Sequence, residues 1–284
     1  MRFVMEPGRI IRISILIAVI VVSVLLFAGG IIFPGQQEDN RTPEELASVT
    51  ETIQKRLDTI SDLVENASNR LSTGIEEDEA QEVLDNAYNA TPDAVFFYTF
   101  TPDGIISVIY PEQYNEEFSG IRLSDISNSS GIWMSGSFMT EITEYDGDYV
   151  FEIVSPVYGG DGEIIGGVVA TINSFKLLNE IVAPAEETSS STFTVMQTDG
   201  LIIYDADERQ VGANLFTSDV FSNFPNLRNL GVKFTTTSSG YGSYMYYPTG
   251  SSGDGKPVKK LAYWDSAGLY GTEWRVIMFR EALS

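Results

Sequence analysis

Asp148-Tyr-Val-Phe-Glu-Ile-Val-Ser-Pro-Val-Tyr-Gly-Gly-Asp-Gly-Glu-Ile-Ile-Gly-Gly-Val-Val-Ala-Thr-Ile172 is the stretch that decides the fold. Two arms rich in β-branched residues flank Gly159-Gly-Asp-Gly162. Asp148–Val157 and Glu163–Ile172 therefore read as two long strands joined by a turn. The glycines also suggest a phosphate-binding loop, but no Lys-Ser/Thr and no helix start follows them, so they read as a turn. Upstream, Met139–Tyr145 and the turn Asp146-Gly147 supply another strand.

Further toward the N-terminus, Ala94–Thr101 is aromatic and β-branched. It meets Pro102-Asp103-Gly104, and Ile105–Tyr110 returns as its partner. A helix-like patch at Ser124–Met134 separates this hairpin from the later strands, and Lys176–Val182 reads as a short closing helix. Strands joined mainly by tight turns, with helices inserted among them, predict an antiparallel sheet packed by helices, an α+β, PAS-like arrangement.

The pattern then restarts. Ala183-Pro-Ala-Glu-Glu-Thr-Ser-Ser-Ser reads as a linker, Thr192–Thr198 as a strand and Leu201–Tyr204 as its partner. The turns Asp103-Gly104 and Asp199-Gly200 lie 96 residues apart, and each is followed by a strand ending in Tyr (Tyr110, Tyr204) and then a Gly (Gly120, Gly212). Val232–Thr237, Ser243–Tyr247, Lys259–Tyr263 and Glu273–Phe279 are the later strand candidates. The order of elements predicts two tandem copies of one fold.

Ahead of the first copy, Leu46, Val49, Ile53, Leu57, Ile60, Val64, Ala67 and Leu71 recur at spacings of three and four, one apolar stripe on a long helix. Thr42 is its expected N-cap, with Pro43 in the first turn and Glu45 closing a capping box. The stripe fits packing along the domains that follow, pairing with a second copy as a homodimer, or both. A second helix carries Ala80, Val83, Leu84, Ala87 and Tyr88 on one side and ends before Pro92.

Ile13–Phe33 is 21 uncharged residues, enough for a helix to span a bilayer core of ~30 Å. Arg2, Arg9 and Arg12 precede it, which places the N-terminus in the cytoplasm and everything from residue 34 outside. A cleaved signal peptide is the competing reading, with small residues at Ala28-Gly29-Gly30, but this apolar run is longer than a usual signal core. The chain reads as cytoplasmic at 1–12, transmembrane at 13–33, and linker and helical stalk at 34–91. A first PAS-like domain follows at 92–185 and a second at 186–284.

Formal charge is −23, with 17 Lys+Arg against 40 Asp+Glu; beyond residue 12 it is −25. That balance excludes nucleic acid as a partner. The chain has no Cys and no His, which removes disulfides, thiol nucleophiles, imidazole bases and the usual zinc sites. Asp205-Ala-Asp-Glu208 and Asp146-Gly-Asp148 lack the ordered spacing of a calcium loop. No cofactor and no catalytic group is expected.

Ile153-Val-Ser-Pro-Val-Tyr-Gly-Gly-Asp-Gly-Glu-Ile-Ile-Gly-Gly-Val-Val169 resembles a block of the double Cache sensor domains. Thr198-Asp-Gly-Leu-Ile-Ile-Tyr-Asp205 resembles the opening hairpin of that family's second repeat, and Ala262-Tyr-Trp264 with Thr272-Glu-Trp-Arg-Val-Ile277 its closing strands. The resemblance covers about residues 40–282. It implies an extracytoplasmic small-molecule sensor, with the ligand in the membrane-distal first repeat, between its sheet and the inserted helices. The family usually continues into a second span and an output domain, whereas this chain stops at Ser284, so a separate signalling receptor is the expected partner. Its amino-acid-binding branch carries Arg-x-Trp-Tyr, and here the stretch reads Gly131-Ile-Trp-Met134, which disfavours an amino acid.

Aromatic side chains with polar atoms are the candidate ligand contacts in the first repeat: Tyr98, Tyr110, Trp133 and Tyr149, with Arg122 as the cation for an anionic ligand. Phe96 and Phe100 share the face of Tyr98 and read as core. In the second repeat Tyr244 and Tyr246 share a face and Asp205 follows the hairpin; these rank lower. Trp274 reads as core. Two other classes compete with the sensor: a structural envelope or adhesion module, and an accessory subunit docked on another receptor.

Overall fold

The computed structural model describes residues 41–126, 136–246 and 257–282. The apolar segment 13–33 lies outside them, and among the described residues no helix is long and apolar enough to cross a membrane.

The apolar stripe folds as helix α1 (Glu44–Arg70), 27 residues and ~40 Å long. Every expected stripe residue is buried. The stripe packs within the chain, on both sheets and on a later helix. The expected cap is not formed: Pro43 holds the N-cap position with no side-chain bond. Glu45, expected to close a capping box, instead accepts from Ser191 Oγ at 3.1 Å. Glu44 and Glu45 in the first turn still suit the positive end of the helix dipole. Helix α2 (Glu77–Asn89) buries Ala80, Val83, Leu84 and Ala87, as its spacing predicts.

The first sheet contains β1 (Ala94–Phe100), β2 (Ile106–Tyr110), β3 (Phe138–Met139), β4 (Thr143–Tyr145), β5 (Asp148–Tyr158) and β6 (Ile164–Asn173). Its order is β2-β1-β6-β5-β3, with β4 also on β5. Two short helices, α3 (Asn115–Phe118) and α4 (Leu123–Ile126), lie between β2 and β3. The rest of the helix-like patch after Ile126 lies outside the described residues. The strand expected at 139–145 is broken in two. Between its pieces, the Ile142 N–H donates to Gln197 Oε1 of the second repeat at 2.7 Å.

Helix α5 (Ser174–Thr188) runs through the expected linker with Pro184 inside it. The composition signals a break, but Glu186 holds the last turn in place. Its two carboxylate oxygens accept from Phe193 N (2.6 Å) and Tyr204 Oη (3.0 Å). The second sheet then repeats the first, with β7 (Thr192–Gln197), β8 (Ile202–Asp205), β9 (Gly240–Tyr246), β10 (Val258–Leu269) and β11 (Thr272–Glu281) in the order β8-β7-β11-β10-β9. The strand expected at 232–237 is instead the end of helix α6 (Pro225–Thr236). Pro225 suits a first helical turn, and Leu230, Gly231 and Phe234 form a buried face. Packing overrides the strand propensity of Val-Lys-Phe-Thr-Thr-Thr.

The repeat extends to single hydrogen bonds. Gly120 N–H donates to Ile106 O, and Gly212 N–H to Ile202 O; Leu123 N–H donates to Gly104 O, and Leu215 N–H to Gly200 O. Gly120 and Gly212 hold φ of 81° and 80°, the left-handed region that disfavours a Cβ. Space around them differs. A Cβ on Gly120 meets nothing within 4 Å, whereas one on Gly212 falls 1.7 Å from the Tyr149 hydroxyl of the first sheet. Gly120→Ala is expected to cost about 1–2 kcal/mol of backbone strain, and Gly212→Ala about 1 kcal/mol more because the Tyr149 ring must move. Denaturant melts of the two variants check this. Equal losses would mean that Tyr149 does not seat on that glycine.

Each sheet has one face in a shared core and one face out. The shared core joins α1, α2 and α5 to Phe97, Phe151 and Ile153 of the first sheet and to Val195, Trp274 and Val276 of the second. The outer faces bury two smaller clusters. One lies around Phe96, Tyr98 and Phe100, the other around Met196, Trp264, Phe234 and Ile277.

Candidate functional site

Strand alternation decides which side chains of the first repeat meet. In β1, Phe97 turns toward the shared core, while Phe96, Tyr98 and Phe100 turn outward. In β5, Phe151 and Ile153 go inward and Val154 outward. Phe96, Thr171 and Glu152 pair across β1, β6 and β5 and form one row on the outer face. Glu152 Oε1 accepts from the Tyr98 hydroxyl at 3.0 Å and from the Thr171 hydroxyl at 3.3 Å. Oε2 has no hydrogen-bond partner among the described residues. Beside this row, the Phe96 ring packs against Tyr114 (4.8 Å between centroids), Phe118 (5.3 Å) and Tyr145 (5.7 Å). The result is a carboxylate on the sheet floor, with one oxygen anchored and an aromatic wall at its side. An arrangement of this kind can hold the polar end of a small ligand while its body packs on rings.

Burial raises the Glu152 carboxyl above the ordinary carboxylate range, against the bonds from Tyr98 and Thr171, which favour the ion. The Tyr98 phenol is pushed well above its ordinary value, first by burial and then by the Glu152 charge. An acid with a raised folded pKa binds its proton more tightly in the folded state. Its stabilising contribution is complete below the unfolded pKa and is lost as pH rises through the folded one. Glu152→Gln keeps an oxygen for Tyr98 and Thr171 and removes the buried charge. It is expected to melt above the parent chain near neutral pH, with the difference gone at about pH 3, below the unfolded pKa, where the carboxyl is protonated in both states. A Gln variant that melts lower at both pH values contradicts this reading.

Of the five residues expected to touch a ligand, the four that are described do not gather into one site. Tyr98 lies beside the Glu152 row, with its hydroxyl on the carboxylate. Tyr110 pairs with Phe97 and so faces the shared core, edge-on to Tyr88 of α2 at 5.3 Å. Its phenol is pushed up first by its bond to Asp85. Tyr149 also faces inward, in the joint over Gly212. Arg122 is exposed and donates to the Asp103 carbonyl and, at 3.4 Å, to Asp103 Oδ2, clamping the hairpin turn. Trp133 lies outside the described residues. Glu152 and Thr171 were missed by the sequence reading, although a lone acid inside Tyr-Val-Phe-Glu-Ile-Val marked Glu152 out. On the second sheet Asp205 and Tyr244 line a separate cavity. Among the described residues no group of three acids is placed to hold a metal ion.

Two five-strand antiparallel arrays in the same order, backed by one long helix and each with a covered outer face, define a tandem PAS-like sensor domain. The Cache domain family profile matches residues 36–281, and the chain belongs to that family, in its double Cache form. Domains of this family are extracytoplasmic ligand-binding sensors of membrane receptors and not enzymes. Among solved structures, an extracellular ligand-binding receptor from Desulfohalobium retbaense matches with a TM-score of 0.66 at 21% identity, over 84% of this chain and 41% of that one. The present chain thus spans about two fifths of that receptor's length. The ligand-binding domain of the Pseudomonas fluorescens chemoreceptor CtaA, in complex with L-alanine, matches with a TM-score of 0.58 at 17% identity, over 84% and 94% of the two chains. That of the Pseudomonas aeruginosa amino acid chemoreceptor PctB, in complex with L-Gln, gives 0.54 at 18%, over 83% and 88%. At these identities the likeness shows the fold. No curated protein gives a significant match.

Proposed function

We propose that the chain senses a small molecule outside the cell, bound on the outer face of the first sheet. The observation that carries this reading is the Glu152 carboxylate beside the aromatic wall, with Oε1 held by Tyr98 and Thr171 and Oε2 without a hydrogen-bond partner among the described residues. A desolvated charge with an open acceptor lowers stability, and a ligand donor restores what it lacks. Tyr98 and Thr171 hold that carboxylate in place, and Phe96, Tyr114 and Phe118 contact the ligand body. Residues 13–33 anchor the chain, and a signalling component across the membrane reads the bound state. The route inward is short, because β5 packs directly on α1, where Ser68 Oγ donates to Pro156 O at 2.5 Å.

A thermal-shift panel of amines, amino acids, organic acids, purines and sugars tests this reading. A ligand at about 100 times its Kd adds ~2.7 kcal/mol of stability. The parent chain is expected to show such a shift for one class, and Glu152→Gln to lose it. A melting point unmoved by the whole panel favours the envelope-spacer reading instead.

A further inference from the structure

The outer face of the second sheet encloses a cavity of about 430 Å³, within the range of small-molecule sites. Its floor is apolar, built from Met196, Ile277 and Phe279, and Phe221 and Phe234 close one side. At the β8 edge stands Asp205. Its Oδ1 accepts from Asp207 N–H at 2.9 Å and its Oδ2 from the Thr194 hydroxyl. Among the described residues no Lys or Arg pairs with Asp205. The neighbouring Asp207 is already matched, with Arg209 reaching both its oxygens at 2.7 Å. Burial raises the Asp205 carboxyl, and the charges of Glu186 and Asp207 push the same way. Tyr244 lines the same space, and its phenol is pushed up by burial and by the charges of Tyr246 and Asp205. The cation among the described lining residues, Lys260, lies on β10, three strands from β8 and four residues along it from Trp264, where the Asp205 row meets that strand. Its ammonium sits 4.9 Å above the Tyr246 ring.

We propose that this cavity is a second ligand site, which takes a small organic monoamine with its ammonium on Asp205 and its apolar body over Phe279 and Ile277. A desolvated carboxylate with no cation beside it among the described residues is completed by one, and the Phe279 ring adds its attraction for positive charge. An anion entering at this edge meets Asp205 and is repelled. Lys260 at the far side opposes a second positive charge, so a monoamine is preferred over a diamine. The site shares no residue with the Glu152 row and stands independently of it.

Calorimetric titration of the full chain with phenethylamine, hexylamine, 1,4-diaminobutane and 3-phenylpropionate tests the proposal. The two monoamines are expected to bind, the diamine at least about tenfold more weakly, and the carboxylate not at all. Asp205→Asn, whose amide still meets Thr194 and the Asp207 N–H, weakens the monoamines by about thirtyfold or more. Val220 lines the cavity and is 51% exposed, so Val220→Trp blocks the space without disturbing a core and serves as the second variant. Two results overturn the proposal: no monoamine binds at millimolar concentration, or binding survives both Asp205→Asn and Val220→Trp.

Discussion

Trp274→Ala is expected to lower the unfolding free energy by about 3–5 kcal/mol and to weaken both repeats in one transition. Trp274 lies on β11 of the second sheet, is fully buried, and meets Phe151 of the first sheet edge-on at 5.0 Å. Its large ring fills the place where the two inner faces and α1 join, and no smaller side chain closes that gap. The indole N–H has no acceptor among the described residues, so truncation also removes an unsatisfied donor and the loss falls toward the lower end of the range. Next to it, Arg275 turns the other way and donates to the Phe234 and Thr237 carbonyls at the end of α6, at 2.8 and 3.1 Å. The Trp-Arg pair therefore serves two layers at once, one residue to each face of its strand. Circular dichroism in denaturant reads the effect. Two separated transitions, with one repeat as stable as before, contradict the shared core.

Arg56→Ala is the second large effect, about 3 kcal/mol or more. Arg56 on α1 donates through Nε (2.8 Å) and Nη2 (2.5 Å) to Asp93 Oδ2, just before β1. The Asp93 side chain is fully buried, and its Oδ1 has no hydrogen-bond partner among the described residues. Removing the guanidinium leaves a buried carboxylate with no cation, which typically costs ~3–5 kcal/mol. The Arg56→Met, Asp93→Asn double variant is expected to recover most of the loss, because the orphaned charge is gone. A double variant as unstable as Arg56→Ala would show that packing, not charge, sets the cost.

The α1 stripe was legible in the sequence because period 3.6 is imposed by one buried face, and Leu46 to Leu71 obey it without a break. The hairpins were legible because Asp103-Gly104 and Asp199-Gly200 place glycines at φ of 78° and 97°, values that other residues rarely adopt. Residues 232–237 misled because β-branched composition is a local signal, while the burial of Leu230 and Phe234 is set by the sheet beneath. Pro184 misled for a related reason: the bonds from Glu186 to the next strand sustain a helix that local propensity argues against.

The candidate site was harder to read, and register is the cause. Tyr98 and Tyr110 sit on paired strands, yet Tyr98 pairs with Ile109 and Tyr110 with Phe97, so the two phenols leave opposite faces. A single strand shows which of its own residues share a face, but not which face of its neighbour they join. Glu152 was overlooked among 40 acids because its meaning comes from Thr171 and Tyr98, which lie 19 and 54 residues away.

A crystal structure of the chain with the ligand that the stability panel selects tests the central claim most directly. The expected result is density on the outer face of the first sheet, with a ligand donor within hydrogen-bond reach of Glu152 Oε2 and its body against Phe96. A ligand bound elsewhere, with Glu152 still open, would contradict the proposed site.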